Sequence, residues 1–253
     1  MKPGDLQTLY GDPRHYDAQY AGITEDVDFY LRQMEKYGEP VLELGCGTGR
    51  IAIAAARRGF RITGLDITES MLACGREKAR AAGVDIDWVL ADCRDFDLAR
   101  TFRMIFFPAN SILHLHERSS FEACFSCVRG HLADAGRFVF DVFVPSLAIL
   151  TRDPNERFPC HEYEDPDGKG MVRISESSTF DMASQINRAR WYMRIGDGEE
   201  HLWSENNVRV FFPQELDALF HYNGFEIEAK YGAVDETPFT SRSRSQIVVC
   251  RKR

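Results

Sequence analysis

No stretch of this chain approaches the roughly 20 consecutive apolar residues that a membrane-spanning helix needs, so no membrane partner is expected. Positive charge is scarce as well: 31 Lys and Arg stand against 39 Asp and Glu, a formal net charge of −8. The longest basic run is the tail Arg251-Lys252-Arg253. Without a basic patch there is no electrostatic footprint for a phosphate backbone, and a nucleic-acid partner is not expected either. The seven cysteines are odd in number and scattered through apolar stretches. Apart from Cys124-x-x-Cys127 they show no ligand spacing, so neither a disulfide framework nor a metal site is expected. The start, Met1-Lys2-Pro3-Gly4-Asp5, lacks the apolar core of a secretory signal. A cytoplasmic protein with reduced thiols is the expectation.

What is present is organised around Val41-Leu42-Glu43-Leu44-Gly45-Cys46-Gly47-Thr48-Gly49. An apolar run breaks into three alternating glycines and a helical pattern follows. That is a strand, a tight turn and a helix start, built so that backbone can approach a nucleotide-like ligand. The spacing is not the Gly-x-Gly-x-x-Gly of dinucleotide binders, which counts against a NAD-dependent dehydrogenase. It also lacks the Lys and Ser/Thr of a triphosphate loop. Glu43 falls at the strand's carboxyl end. This stretch resembles motif I of the class I S-adenosylmethionine (SAM) methyltransferases, E/D-x-G-x-G-x-G. The resemblance implies a doubly wound α/β fold with a seven-stranded, mostly parallel sheet, and SAM as cofactor with S-adenosylhomocysteine as product. Gly45, Cys46, Gly47 and Gly49 would line the cofactor, with Glu43 near its methionine amino end.

Two more strand ends carry acids. Phe60–Leu65 reads as a strand ending at Asp66, one helix and one strand beyond Gly49. An acid there either accepts both ribose hydroxyls or caps the helix predicted over Glu69–Ala82. Ile67 adjoins it, and Met71 matches the family residue that packs on adenine. Ile86–Leu90 reads as the next strand, ending in Ala91-Asp92-Cys93, where Asp92 suits the adenine amine and the Cys93 N–H a ring nitrogen. The fourth strand, Met104–Phe107, runs into Pro108-Ala109-Asn110-Ser111-Ile112-Leu113-His114. By resemblance Pro108 is a cofactor contact and Asn110 and His114 face the methyl acceptor; His114 is alternatively a hydrogen-bonded structural histidine. His116 is expected to be exposed. The stretch departs from the Asn/Asp-Pro-Pro-Tyr/Phe of some nucleic-acid amino methyltransferases. A helix over Phe121–Leu132 and a strand over Arg137–Phe143 complete the resemblance, which spans about residues 40–145.

Upstream, Tyr16-Asp17-x-x-Tyr20 resembles an element that closes over SAM and acceptor in small-molecule members. It assigns Tyr16 to the acceptor and Tyr20 to the cofactor, and the plainer alternative is a helix packed at the sheet edge. Thr24 reads as the cap of a following helix. Downstream, strands predicted over 171–181, 186–195 and 201–212 form an antiparallel insertion. A helix from Phe212 to about Asn223 and strands over Phe225–Tyr231 and Ser245–Cys250 close the chain. The organisation expected is therefore 1–149 with 213–253 as the SAM-binding domain, including a lid at 1–38, and 150–212 as the insertion. Such insertions resemble those of sugar-amine and glycine N-methyltransferases, where they cover the acceptor pocket and often make a dimer contact. Trp203 and Arg209 are further acceptor candidates. The function expected is methyl transfer to a small polar metabolite, nitrogen ahead of oxygen, by a monomer or homodimer. The alternatives are a macromolecular acceptor, or SAM binding without methyl transfer.

Overall fold

The computed structural model describes residues 10–253; the first nine residues of the expected lid lie outside them. In chain order the elements are α1 (Pro13–Tyr20), α2 (Glu25–Tyr37), β1 (Val41–Leu44), α3 (Arg50–Arg57), β2 (Ile62–Asp66), α4 (Glu69–Ala82), β3 (Asp87–Leu90) and β4 (Phe102–Phe107). After a 3-10 turn at Ser111–His114 come α5 (Arg118–His131), β5 (Leu132–Phe143), α6 (Leu147–Leu150), β6 (Phe158–Glu164), β7 (Met171–Asp181), β8 (Ile186–Ile195) and β9 (His201–Arg209). α7 (Pro213–Tyr222), β10 (Phe225–Tyr231) and β11 (Ser245–Lys252) end the chain.

Backbone contacts divide the chain into two compact units, residues 24–144 with 211–253, and the N-terminal segment through Ile23 with 145–210. The first unit holds a seven-stranded sheet in the order β10-β11-β5-β4-β1-β2-β3. All neighbours pair in parallel except β11, which runs antiparallel to β5 and β10. This is the doubly wound α/β fold expected. The strands β1 and β2 at its middle are buried along their whole length, as the interior of a parallel sheet requires. One face is packed by Phe29, Tyr30 and Met34 of α2, Ile51 and Ile53 of α3 and Ala79 of α4. On the other, Phe125 of α5 and Phe220 of α7 sit 5.0 Å apart, and Phe220 stacks on Phe140 of β5 at 4.8 Å. Strand order reverses beside β1, whose neighbours are β2 and β4. Ligands of such sheets bind outside the strand ends at that switch point.

The second unit holds a four-stranded antiparallel sheet, β6-β7-β8-β9. Strand β6 was not anticipated: Pro159 and the exposed Cys160 and Glu162 obscure its alternation. Strand β9 stops at Arg209 rather than Phe212. Helix α1 packs within this unit, Tyr10 and Ala18 lying against the cluster of Tyr163, Val172, Ile174 and Trp191. The expected lid therefore belongs to two units, α1 with the insertion sheet and α2 with the parallel sheet. Thr24 precedes α2 as expected, but its side chain makes no capping bond. Three acids in the first turn, Glu25, Asp26 and Asp28, favour the helix start through the macrodipole instead. Among the described residues no helix is long and apolar enough to cross a membrane.

Candidate active site

The loop between β1 and α3 uses its glycines for three different purposes. A Cβ on Gly49 would stand 2.5 Å from the Trp88 ring, and its φ is +80. The third glycine is thus a packing position, since the indole of β3 occupies the space beside it. A Cβ on Gly47, φ +55, would meet only Met71 Cε at 3.3 Å, so this is the glycine whose flank is closed by a flexible side chain alone. Gly45 lies against Phe107 and the loop after β4, and a Cβ there would stand 3.0 Å from Phe107 Cε2. Cys46 points beneath the sheet: it is 5% exposed, and its Sγ is 2.9 Å from where a Gly64 Cβ would be. Its N–H donates to the Leu65 carbonyl at 3.0 Å.

The strand-end acids differ in how they are held. Glu43 is 2% exposed, and its Oε2 is buried with no hydrogen-bond partner. Burial pushes its carboxyl up to about 8, against the pull of the Arg50 guanidinium. Arg50 itself is gripped by Asp26 at 2.6 and 2.5 Å. Asp66 accepts the Gly47 N–H on Oδ2 and the Thr68 N–H on Oδ1, both at 2.8 Å. It therefore ties the glycine loop to the start of α4, and burial still leaves its pKa raised. Asp92 is wrapped by Arg94, whose Nη2 lies 2.5 Å from Oδ2 and whose backbone N–H donates to Oδ1 at 2.9 Å. That guanidinium holds the Asp92 carboxyl below its usual range. Cys93 is half-buried, and its thiol meets that of the buried Cys124, whose pKa this contact and burial raise. Ile67 is half-buried and Met71 buried beside the loop.

The loop after β4 begins at the buried Pro108. Ala109 and Asn110 both take left-handed backbone, φ 57 and 60. The Asn110 Oδ1 accepts the Phe143 N–H at 2.7 Å, so this side chain braces the end of β5 with the oxygen expected to face an acceptor. His114 ends the 3-10 turn half-buried. His116 is half-buried too, not exposed, because Leu115 beside it turns into the core. Sequence reasoning missed Asp141, which accepts the Ala109 N–H at 3.0 Å and the Tyr30 hydroxyl at 2.5 Å. The rule that flagged Glu43, Asp66 and Asp92, an acid near a strand's carboxyl end, applies to Asp141 on β5 as well.

In the second unit, Asp12 caps α1 by accepting the Arg14 N–H at 3.0 Å. The rings of Tyr16 and Tyr20 lie 4.8 Å apart, and Tyr20 approaches His161 at 6.1 Å. His15 and the Tyr163 hydroxyl are 3.1 Å apart, and Arg14 reaches Asp167 at 2.6 Å. Trp191 donates to Glu176 at 2.9 Å and stacks near Trp203 at 6.1 Å. Arg209 donates to the Gln185 amide oxygen at 3.1 Å. His161 had no sequence signal, since its strand was not recognised; burial lowers its pKa. Of the residues singled out from sequence, Glu43, Gly45, Cys46, Gly47, Gly49, Asp66, Ile67, Met71, Asp92, Cys93, Pro108, Asn110 and His114 belong to the parallel-sheet unit. Tyr16, Tyr20, Trp203 and Arg209 belong to the other.

Known proteins resemble both the sequence and this architecture. Residues 41–136 match a family model described as a methyltransferase domain. A Geobacillus sp. (strain WCH70) relative assigned to the methyltransferases is 32% identical over 127 residues, 50% of this chain and 50% of that one; the matched segment thus spans about half of that curated relative. The CcbJ methyltransferase from Streptomyces caelestis superposes with a TM-score of 0.77 at 26% identity, covering 92% of this chain and 98% of that one. SAM-bound CalS10, an amino pentose methyltransferase from Micromonospora echinaspora, gives a TM-score of 0.67 at 20% identity over 92% and 93%, a likeness of fold. With a motif I glycine loop, acids at three successive strand ends and a matching domain description over the same residues, residues 41–136 form a methyltransferase domain in a chain that has the fold of the class I S-adenosylmethionine-dependent methyltransferases.

Proposed function

We propose that this protein transfers a methyl group from SAM to an amine nitrogen of a small, polar metabolite. The observation that carries the reading is Glu43: a carboxylate buried at the base of the glycine loop with one oxygen lacking any partner. Such an oxygen is costly unless a donor arrives, and the protonated α-amino group of SAM is a donor of the right charge. Asp66, which also accepts the Gly47 and Thr68 N–H groups, would hold the ribose hydroxyls. Asp92 and the Cys93 N–H take the adenine edge, Met71 and Ile67 its faces, and Pro108 the cofactor's methionine side. Bound there, SAM supplies a methyl on a positively charged sulfur, which a neutral nucleophile displaces in line. The protein's share of that reaction is aim and desolvation.

Nitrogen is favoured over oxygen because a neutral amine attacks without a base, whereas a hydroxyl needs one. Among the described residues no cluster of three or more His, Cys, Asp and Glu is arranged to hold a metal that would acidify a hydroxyl. The amino pentose substrate class named for CalS10 supports the same preference. His114, Tyr16 and Tyr20 are the acceptor-side candidates, and Asn110 acts by bracing. The test is incubation with methyl-labelled SAM and a small-molecule metabolite pool, followed by identification of the labelled product. A labelled amine supports the reading. Label on oxygen or carbon, or on macromolecules alone, overturns its acceptor part, and no transfer at all overturns the activity.

A further inference from the structure

Left-handed backbone is disfavoured for any residue with a Cβ, and two such residues in succession need external support. Ala109 and Asn110 are such a pair. Their support is Asp141: Oδ1 accepts the Ala109 N–H at 3.0 Å and Oδ2 the Asn110 N–H at 3.3 Å. Asn110 returns a bond, its Oδ1 accepting the Phe143 N–H at 2.7 Å, two residues beyond Asp141. The carboxylate is in turn held by the Tyr30 hydroxyl, which donates to Oδ1 at 2.5 Å. Tyr30 is 1% exposed and stacks on Phe106 of β4 at 4.7 Å, so its ring has little freedom. Burial pushes the Tyr30 phenol well above its ordinary range, so the phenol keeps its proton. One turn earlier on the same face of α2, Asp26 grips Arg50, the residue after Gly49. A single helix therefore reaches both the glycine loop and the loop after β4.

We propose that Tyr30 and Asp141 are positioning residues for methyl transfer, holding Ala109–Asn110 in the left-handed turn that aims the loop carrying His114. This rests on the reading that this loop faces the acceptor. The two residues act on loop geometry and not on the cofactor, so their loss separates turnover from SAM binding.

The experiment compares the full-length wild type with Tyr30→Phe and Asp141→Asn. Backbone-amide hydrogen exchange is read at Ala109 and Asn110, SAM affinity by calorimetry, and turnover as methyl incorporation from tritiated SAM into the small-molecule fraction of a cell extract. Both variants should exchange those two amides at least about 10-fold faster, since exchange reports local opening. Turnover should fall by roughly 10- to 100-fold, the scale of a misaimed reacting group, with SAM affinity unchanged within about 3-fold. Unchanged exchange at both amides overturns the brace. Faster exchange with wild-type incorporation overturns its bearing on catalysis. Equal loss of SAM affinity and turnover with a lowered melting temperature marks the pair as merely structural and overturns the proposal. A wild type that transfers no methyl group overturns the proposed function, while the exchange arm still reads the brace.

Discussion

At the scale of single residues, Glu43 turns a burial problem into a pH signature. Burial pushes its carboxyl up to about 8 in the fold from an ordinary 4.5, so between those values the folded state holds a proton that the unfolded state has released. Stability without cofactor must therefore fall as pH rises through that window. The shift corresponds to an upper limit on the order of 5 kcal/mol. Asp66 and Asp141, also raised by burial, push the same way. Glu43→Gln should flatten the decline, as seen in melting temperatures from pH 5 to 8; an unaltered slope removes Glu43 as its cause. The same carboxyl must ionise to receive a cationic amino group, so SAM binding at pH 7 should release close to about one proton. Calorimetry in two buffers of different ionisation enthalpy measures this, and Glu43→Gln should abolish it. Equal heats in both buffers for the wild type would detach Glu43 from the amino group. Asp66 is coupled differently. Its oxygens satisfy two buried amides, so Asp66→Ala should lose stability, about 1–3 kcal/mol for a buried group left unpaired, along with SAM affinity. A variant that loses affinity at wild-type melting temperature would show the amide bonds to be incidental.

At the scale of elements, the glycine loop was legible as a motif and not as a mechanism. Three alternating glycines before a helix mark a close approach, but which glycine faces what depends on Trp88, 39 residues further along the chain. Gly49 and Gly75 both lie against that ring, and a Cβ at either would fall under 3.0 Å from it. Gly49→Ala should accordingly destabilise the fold by roughly 2–4 kcal/mol, combining left-handed strain with overpacking. Gly47→Ala meets only the mobile end of Met71 and should cost about 1–2 kcal/mol of strain while weakening SAM. Comparing melting temperatures with SAM affinities for the two variants decides it; matching profiles would refute the division of labour. Elsewhere, local signals sufficed where local physics decides. Helix Glu69–Ala82 appears with the expected bounds because Gly83 ends it at φ +66. They failed where partners are remote. Strand β6 is a strand because it pairs with β7, and Asn110 is a brace because β5 returns beside it. Neither partner is visible from the residues themselves.

At the scale of the whole molecule, the chain leaves the parallel sheet after β5, builds β6–β9, and comes back for α7, β10 and β11. Helix α1 joins that excursion, not the sheet that follows it in sequence. Arg14 to Asp167 and His15 to Tyr163 fasten it there, so Tyr16 and Tyr20 belong to the unit of β6 and not to that of the glycine loop. The cofactor contacts proposed above all lie in the other unit, which makes the assignment of roles separable by experiment. Hydrogen exchange read by peptide mass should show SAM adding protection over residues 43–49, 66–72 and 92–94. The amine identified by the labelling screen should add protection over 10–23 and 158–164 when S-adenosylhomocysteine is present. Ligand binding suppresses local opening only where opening breaks ligand contacts, so each footprint reports its own site. Protection of 10–23 by SAM alone would move Tyr16 and Tyr20 together to the cofactor. An amine footprint confined to 108–114 would leave the insertion sheet without an acceptor role, and the methyl acceptor would then be chosen by the loop that Asp141 holds.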